Sequence, residues 1–184
     1  MADLVQKLSE AFDHTEGVLR GVRPEHLDQP TPCPEWDVQT LVSHFGGVVV
    51  NMGRGAGGEA LLAPDEAFPV GEDLAARFRT EADRTLAAWR ARGLEGEVDV
   101  GAGPMPASIA IGVNLVDTST HTWDVAKATG QPADLPDDVA TTALELAQGF
   151  VPQLREVVGI APPVPVGDDA SPTDRLVAFM GRQP

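Results

Sequence analysis

Between its prolines and glycines this chain repeats apolar residues at a helical period and almost nowhere alternates them, so its sequence is written for packed helices, not sheets. Leu4, Leu8, Ala11, Phe12, Thr15, Val18, Leu19 and Val22 predict a first helix that ends before Pro24. The segment Pro30-Thr-Pro-Cys-Pro34 must be extended, because three prolines remove backbone donors and fix backbone angles. Asp37 then caps a second helix, with Trp36 placed to staple onto Leu41 and an apolar face running through Val38, Leu41, Val42, Phe45 and Val48 until the helix ends between Met52 and Gly58. Residues 64–70 read as loop, and Leu74, Phe78, Ala82, Leu86 and Trp89 define a third helix stopped by Gly93. Residues 95–106 read as irregular, since Val98-Asp-Val100 is too short to found a sheet.

A long fourth helix is expected over residues 107–129, closed by Gly130. Pro136 opens a fifth through Val139, Ala143, Leu146 and Phe150, which Pro152 is expected to kink or break. Residues 161–169 form a proline-rich linker, and Ser171-Pro-Thr-Asp174 caps a last short helix, Pro172 to Met180, ended by Gly181. The expected fold class is all-α: an antiparallel four-helix bundle over residues 1–160, with the linker and short extra C-terminal helix of residues 161–184 packed on it. An α/β fold is disfavoured, because nothing alternates strand with helix.

Thirteen Lys and Arg against 28 Asp and Glu leave a formal charge of −15, which repels phosphate backbones and argues against nucleic acid as a partner. The longest apolar runs, residues 45–50 and 159–166, fall far short of the ~20 residues that span a bilayer, and residues 1–10 carry acids in place of a basic leader. The single cysteine, Cys33, excludes an intramolecular disulfide framework. A cytoplasmic location with no membrane span is the expectation.

Chemistry enters where polar residues interrupt apolar stripes. His44 follows Leu41 by three residues and precedes Val48 by four, which turns it inward on the second helix. On the fourth helix Asp117 and His121 lie four apart, on the face of Val113 and Val125. A buried carboxylate must be protonated, paired or metal-bound, and no Lys or Arg lies between Met105 and Val125 to pair it locally. One histidine from one helix and a carboxylate–histidine pair from another match the three-ligand sets that leave a divalent metal an open position. Against this stands the plain reading, in which Asp117 and His121 bond each other on a solvated face and His44 is a satisfied core histidine.

The string Thr31-Pro-Cys-Pro-Glu-Trp-Asp-Val-Gln-Thr-Leu-Val-Ser-His44, followed by His121-Thr-Trp-Asp-Val-Ala-Lys-Ala-Thr-Gly130, resembles the paired signatures of the mycothiol-dependent maleylpyruvate isomerase metal-binding domain, an actinobacterial branch of the DinB-like four-helix bundles. Asp174-Arg-Leu-Val-Ala-Phe-Met-Gly-Arg182 resembles that family's ending. The resemblance implies a DinB-like bundle whose divalent metal, zinc ahead of nickel or iron, is held by His44, Asp117 and His121. It also implies mycothiol as a cosubstrate, and hence a small-molecule thiol and an electrophile as partners. Asp117 stands where some members carry glutamate or histidine, a shorter reach that bears on metal preference. The isomerase itself carries a further C-terminal domain, whereas only a short tail follows Gly159 here, so maleylpyruvate isomerisation is not implied. The implied activity is a metal-dependent thiol S-transferase or related detoxification enzyme, with a non-catalytic metal- or ligand-binding bundle as the alternative. Related bundles pair, which makes a homodimer the expected assembly.

Asp124, one further turn along the ligand face, is placed either to orient His121 as a hydrogen-bond acceptor or to face solvent near the helix end. Two histidines and a carboxylate also describe the iron triad of oxygenases, but those triads are presented from β-barrel strands, and helical ligands rank oxygen chemistry low. Trp36, Trp89 and Trp123 read as packing anchors, Cys33 as a small packed side chain, and His14 and His26 as surface residues. The glycine-rich run of residues 53–58 follows a helix instead of opening one, so it fails the test for a phosphate loop.

Overall fold

Helices form where the apolar periods lie, and the side chains of Asp3, Asp37 and Ser171 cap the N-termini of three of them. The computed structural model describes residues 3–34, 36–71 and 73–184, with the side chains of all of these except Pro64, Asp65 and Val157. Met1 and Ala2, at the head of the acidic stretch, and Glu35, within the string from Thr31 to His44, lie outside the described residues. Helix α1 spans Leu4–Arg20, and the Asp3 carboxylate accepts from the backbone N–H groups of Val5 and Gln6 at 3.1 and 3.2 Å. A 3-10 turn at Pro24–His26 follows. Helix α2 runs Val38–Ala56, capped by Asp37, which accepts from Thr40 N at 2.7 Å. After a short α3 (Pro64–Ala67), α4 occupies Leu74–Arg92 and closes on Gly93, whose φ of 76° only glycine adopts without strain. Strands β1 (Glu97–Asp99) and β2 (Pro104–Pro106) form an antiparallel pair with Val98 opposite Met105. Helices α5 (Ala107–Ala128), α6 (Asp137–Val158) and α7 (Pro172–Phe179) complete the chain, α7 capped by the Ser171 hydroxyl accepting from Asp174 N at 3.0 Å.

Helices α1, α2, α4 and α5 pack on one another as the bundle, and α6 lies against α5 and carries α7. The pairs α1–α4 and α2–α5 are antiparallel: Asp13 meets Arg79 while Leu19 and Arg20 share a groove with Leu74, and His44 meets His121 while Gly55 meets Asp99 ahead of α5. Phe78 sits at the centre, with the rings of Phe12, Phe45 and Phe68 around it at 5.6, 6.1 and 6.4 Å. The Phe68 ring occupies the space a Cβ at Gly46 would need, which explains a glycine in the middle of α2. This is an all-α bundle. None of the described helices is long and apolar enough to cross a membrane.

Four local expectations need correction. Residues 64–70 contain α3, opened by Pro64 at a first-turn position where its missing N–H costs nothing. The stretch 95–106 is a hairpin, because Val98 is buried in the core and gives the short pair an anchor. Pro152 does not break α6, which continues to Val158; the carbonyl it frees belongs to Gln148, an exposed residue open to solvent. His14 is half-buried and His26 is buried: the 3-10 turn tucks the His26 ring under Arg23, whose backbone N–H donates to Nδ1 at 3.2 Å and whose guanidinium lies 2.6 Å from Nε2.

Phe78→Ala removes the ring on which three others converge, and is expected to lower folding stability by about 3–5 kcal/mol. The shift of the urea unfolding midpoint at unchanged slope measures it.

Candidate metal centre

Helix α5 is the element that most differs from its neighbours, because it is covered on nearly every side: by α1 and α2 within the bundle and by α6 behind. Polar residues on such a helix are carried indoors, and Asn114, Thr118, Ser119, Thr120, His121, Thr122 and Asp124 are all buried. Some are answered simply. Thr120 Oγ1 donates to the Val116 carbonyl at 2.8 Å, and the Thr122 and Thr15 hydroxyls bond at 2.7 Å between α5 and α1. The charged residues need more than that.

Asp117 and His121 lie one turn apart on α5 and face His44, two turns into α2. Asp117 Oδ1 is 3.5 Å from His121 Nε2 and 3.7 Å from His44 Nε2. These separations are too long for hydrogen bonds, yet all three donor atoms lie within 4.8 Å of one another. Ligand atoms about 2.1 Å from one tetrahedral cation lie about 3.4 Å apart, so the residues present fit a single divalent ion. Asp117 Oδ2 is buried with no hydrogen-bond partner among the described residues, a further acceptor at the same point. The His44 side chain is 38% exposed and Asp117 20%, so the three atoms meet at a mouth and not in a sealed void.

The loop before α2 forms one wall of this mouth. Thr31 N and Thr31 Oγ1 both donate to the Trp36 carbonyl, at 3.2 and 2.9 Å, and Val38 N donates to Gln29 O at 3.0 Å, pinning the proline-rich segment back on itself. Pinned so, it lays the Trp36 ring over His44 with centroids 4.6 Å apart. Trp36 therefore packs on a candidate ligand, a role beyond the staple read from its position. The same loop brings Cys33 Sγ within 4.8 Å of ligand atoms of His121 and Asp124, a proximity that its place in the sequence did not signal. Burial pushes the Cys33 thiol above its ordinary pKa, with Arg182 pulling the other way, which keeps it a protonated, half-buried neighbour.

Asp124 does not face solvent: it is fully buried, and its Oδ2 lies 3.0 Å from His121 Nδ1. A carboxylate only accepts, so Nδ1 donates, and Nε2 is the nitrogen turned toward Asp117 and His44. The cation that neutralises Asp124 is Arg182, whose Nη2 donates to Oδ2 at 2.9 Å and whose Nε lies 3.3 Å from both oxygens. This cation arrives from 58 residues downstream, a distance over which no local pattern around Asp124 signals it.

Burial resists charge on His121, but Asp117 and Asp124 on either side outweigh it and raise its pKa to about 9. Burial likewise opposes ionisation of Asp117, yet His121 and His44 hold its carboxyl well below the usual carboxylate range. Asp124 is also held low against burial, by His121 and Arg182. A groove of about 750 Å³ between the end of α1 and the start of α4, lined by Leu19, Arg23, Leu27 and Leu74, contains none of these residues.

Metal-stripped protein should show the balance directly. The raised His121 value contributes stability that is complete below its ordinary 6.5 and is lost as pH rises through about 9. The depressed carboxylates contribute above their ordinary 3.8 and lose that contribution as pH falls. Melting temperature is therefore expected to fall between pH 6.5 and about 9, a fall that His121→Ala abolishes, and to fall again on the acid side.

Comparison with known proteins adds an independent line. The family model described as the mycothiol maleylpyruvate isomerase N-terminal domain matches residues 8–126, a stretch that contains Cys33, His44, Asp117, His121 and Asp124. Uncharacterized proteins from two strains of Mycobacterium tuberculosis are each 33% identical over 185 residues, covering 96% of this chain and 94% of their own length. Among solved structures, the mycothiol-dependent maleylpyruvate isomerase is similar with a TM-score of 0.58 at 20% identity, over 82% of this chain and 72% of that one. A DinB-like protein from Bacillus subtilis is similar with a TM-score of 0.56 at 14% identity, over 72% of this chain and 94% of that one. At such identities the structural likenesses speak to the fold.

Proposed function

The chain belongs to the mycothiol maleylpyruvate isomerase N-terminal domain family, and from that premise we propose that it is a divalent-metal-dependent thiol S-transferase, or a related detoxification enzyme, acting on mycothiol in the cytoplasm. The observation that carries the reading is the meeting of His44 Nε2, His121 Nε2 and Asp117 Oδ1 at one exposed point, with Asp117 Oδ2 unpartnered beside them. Two neutral imidazoles and one carboxylate form a small, open nitrogen–oxygen donor set suited to zinc ahead of nickel or iron. A divalent cation held there supplies positive charge beside which a thiol loses its proton at neutral pH.

The chain's own residues do the rest. His44, Asp117 and His121 bind; Asp124 fixes which nitrogen of His121 carries the proton; Trp36 packs on the His44 ring and walls one side of the mouth. A thiol seated at the mouth gives up its proton to solvent, and its sulfur attacks an electrophilic carbon, forming a carbon–sulfur bond as the bond to that carbon's leaving group breaks and the leaving group departs to solvent with the electron pair. The partner relationship comes from the relative that is named for its dependence on mycothiol. One observation favours a second reading, a non-catalytic metal-binding bundle: the His44 side chain is 38% exposed, so the mouth is open to solvent on that side and gives a second substrate little enclosure there.

Elemental analysis of protein purified without chelator is expected to find about one divalent ion per chain, and none in His121→Ala or Asp117→Ala. Metal-loaded protein with mycothiol and a panel of electrophiles is expected to form adducts faster than the stripped control, with both variants at the uncatalysed rate. Bound ion without acceleration on any electrophile selects the non-catalytic reading, and absence of an ion defeats both.

A further inference from the structure

We propose that Arg182 is a positioning residue of the metal centre, acting through Asp124 to hold His121 in the orientation and tautomer in which it ligates. The proposal rests on the metal reading above and deepens it, assigning a role to a residue outside the 8–126 stretch that the family model matches.

The geometry is that of a clasp. Arg182 Nη1 donates to the Met180 carbonyl at 2.9 Å, which fixes the plane of the guanidinium, while Nη2 and Nε face the Asp124 carboxylate. Asp124 Oδ2 thus takes two donors at once, Arg182 Nη2 at 2.9 Å and His121 Nδ1 at 3.0 Å. A fully buried carboxylate on a helix wall has rotational freedom only until its oxygens are spoken for, and here the planar fork of an arginine immobilises it. The His121 ring is then fixed by its own Nδ1–H, and its other nitrogen is directed at Asp117 and His44.

The chain reaches this position by a turn that only glycine permits. After α7, Arg182 N donates to Val177 O at 2.9 Å and Gly181 N to Ala178 O at 3.0 Å, reversing the chain. Gly181 has φ of 82°, and a Cβ there would lie 2.6 Å from the Ala161 carbonyl oxygen. The turn packs tightly on the residue 161–169 linker and aims the next side chain at α5. A surface arginine at the end of a helix would need none of this; Arg182 is buried, and its guanidinium serves one carboxylate.

Two readouts on the full-length chain test the clasp: affinity for zinc by calorimetry, and the exchange-protected His121 Nδ1 proton in the downfield proton spectrum, recorded with and without zinc. Arg182→Met is expected to weaken zinc binding about 10–100-fold and to lose the protected proton. Arg182→Lys, which keeps the charge and loses the fork, is expected to fall between it and the parent, and serves as the folded probe should Arg182→Met fail to fold. Asp124→Asn should match the loss in Arg182→Met, and the double variant should be no weaker than either single one, because both act through one contact. Parental affinity and a retained proton in the arginine variants would overturn the proposal, as would additive losses in the double variant. If the parent chain takes up no zinc, the metal reading fails by that result, and loss or retention of the Nδ1 proton in the arginine variants still decides whether Arg182 positions His121.

Discussion

A carboxylate sealed inside a helical bundle must be answered by charge, and the Asp124–Arg182 pair is the interaction on which the candidate centre depends. Removing one partner of such a pair leaves an uncompensated buried ion, which costs about 3–5 kcal/mol and outweighs most single contacts in a domain of this size. Asp124 also accepts from His121, so the same carboxylate that stabilises the fold decides which imidazole nitrogen looks toward Asp117 and His44. Stability and ligand orientation are thereby coupled through two oxygen atoms.

That coupling requires α5 to be covered on both sides. A conventional bundle helix keeps one face in water, and a charged residue there has its hydration to fall back on. Here α6 closes the outer face of α5, and α7 with its turn at Gly181 brings the counter-ion to the buried Asp124. The bundle and its cover therefore have different tasks. Helices α1, α2 and α4, with Phe68 at the end of α3, supply the aromatic core around Phe78, and α2 presents His44; the segment from α6 onward supplies burial and charge to α5.

The mouth of the centre is assembled by a different device. Prolines deny residues 30–34 a helical path, and hydrogen bonds from Thr31 to the Trp36 carbonyl fold the segment back over α2. Rigid extended backbone beside a helix start is an economical way to hold an aromatic ring over a ligand without ordering a long loop. Cys33 rides on the same segment and comes to rest beside His121 and Asp124.

Much was legible without coordinates wherever the controlling physics is local. Caps at Asp37 and Ser171, stops at Gly93 and Gly130, and the inward period of His44, Asp117 and His121 depend on neighbours within a turn or two, so residue order alone determined them and the all-α class they imply. The course of α6 through Pro152, the burial of His26 and the hairpin around Val98 were not legible, because each turns on whether solvent or core lies opposite, which no short window contains. The same holds most strongly for the charge balance at Asp124: its partner lies 58 residues away, its solvent is excluded by helices that come later, and its histidine acquires an orientation only once both are in place. Sequence determined which residues have the chemistry to bind a cation; tertiary packing alone decided that they meet, because long-range electrostatics and burial belong to the folded chain and to no segment of it.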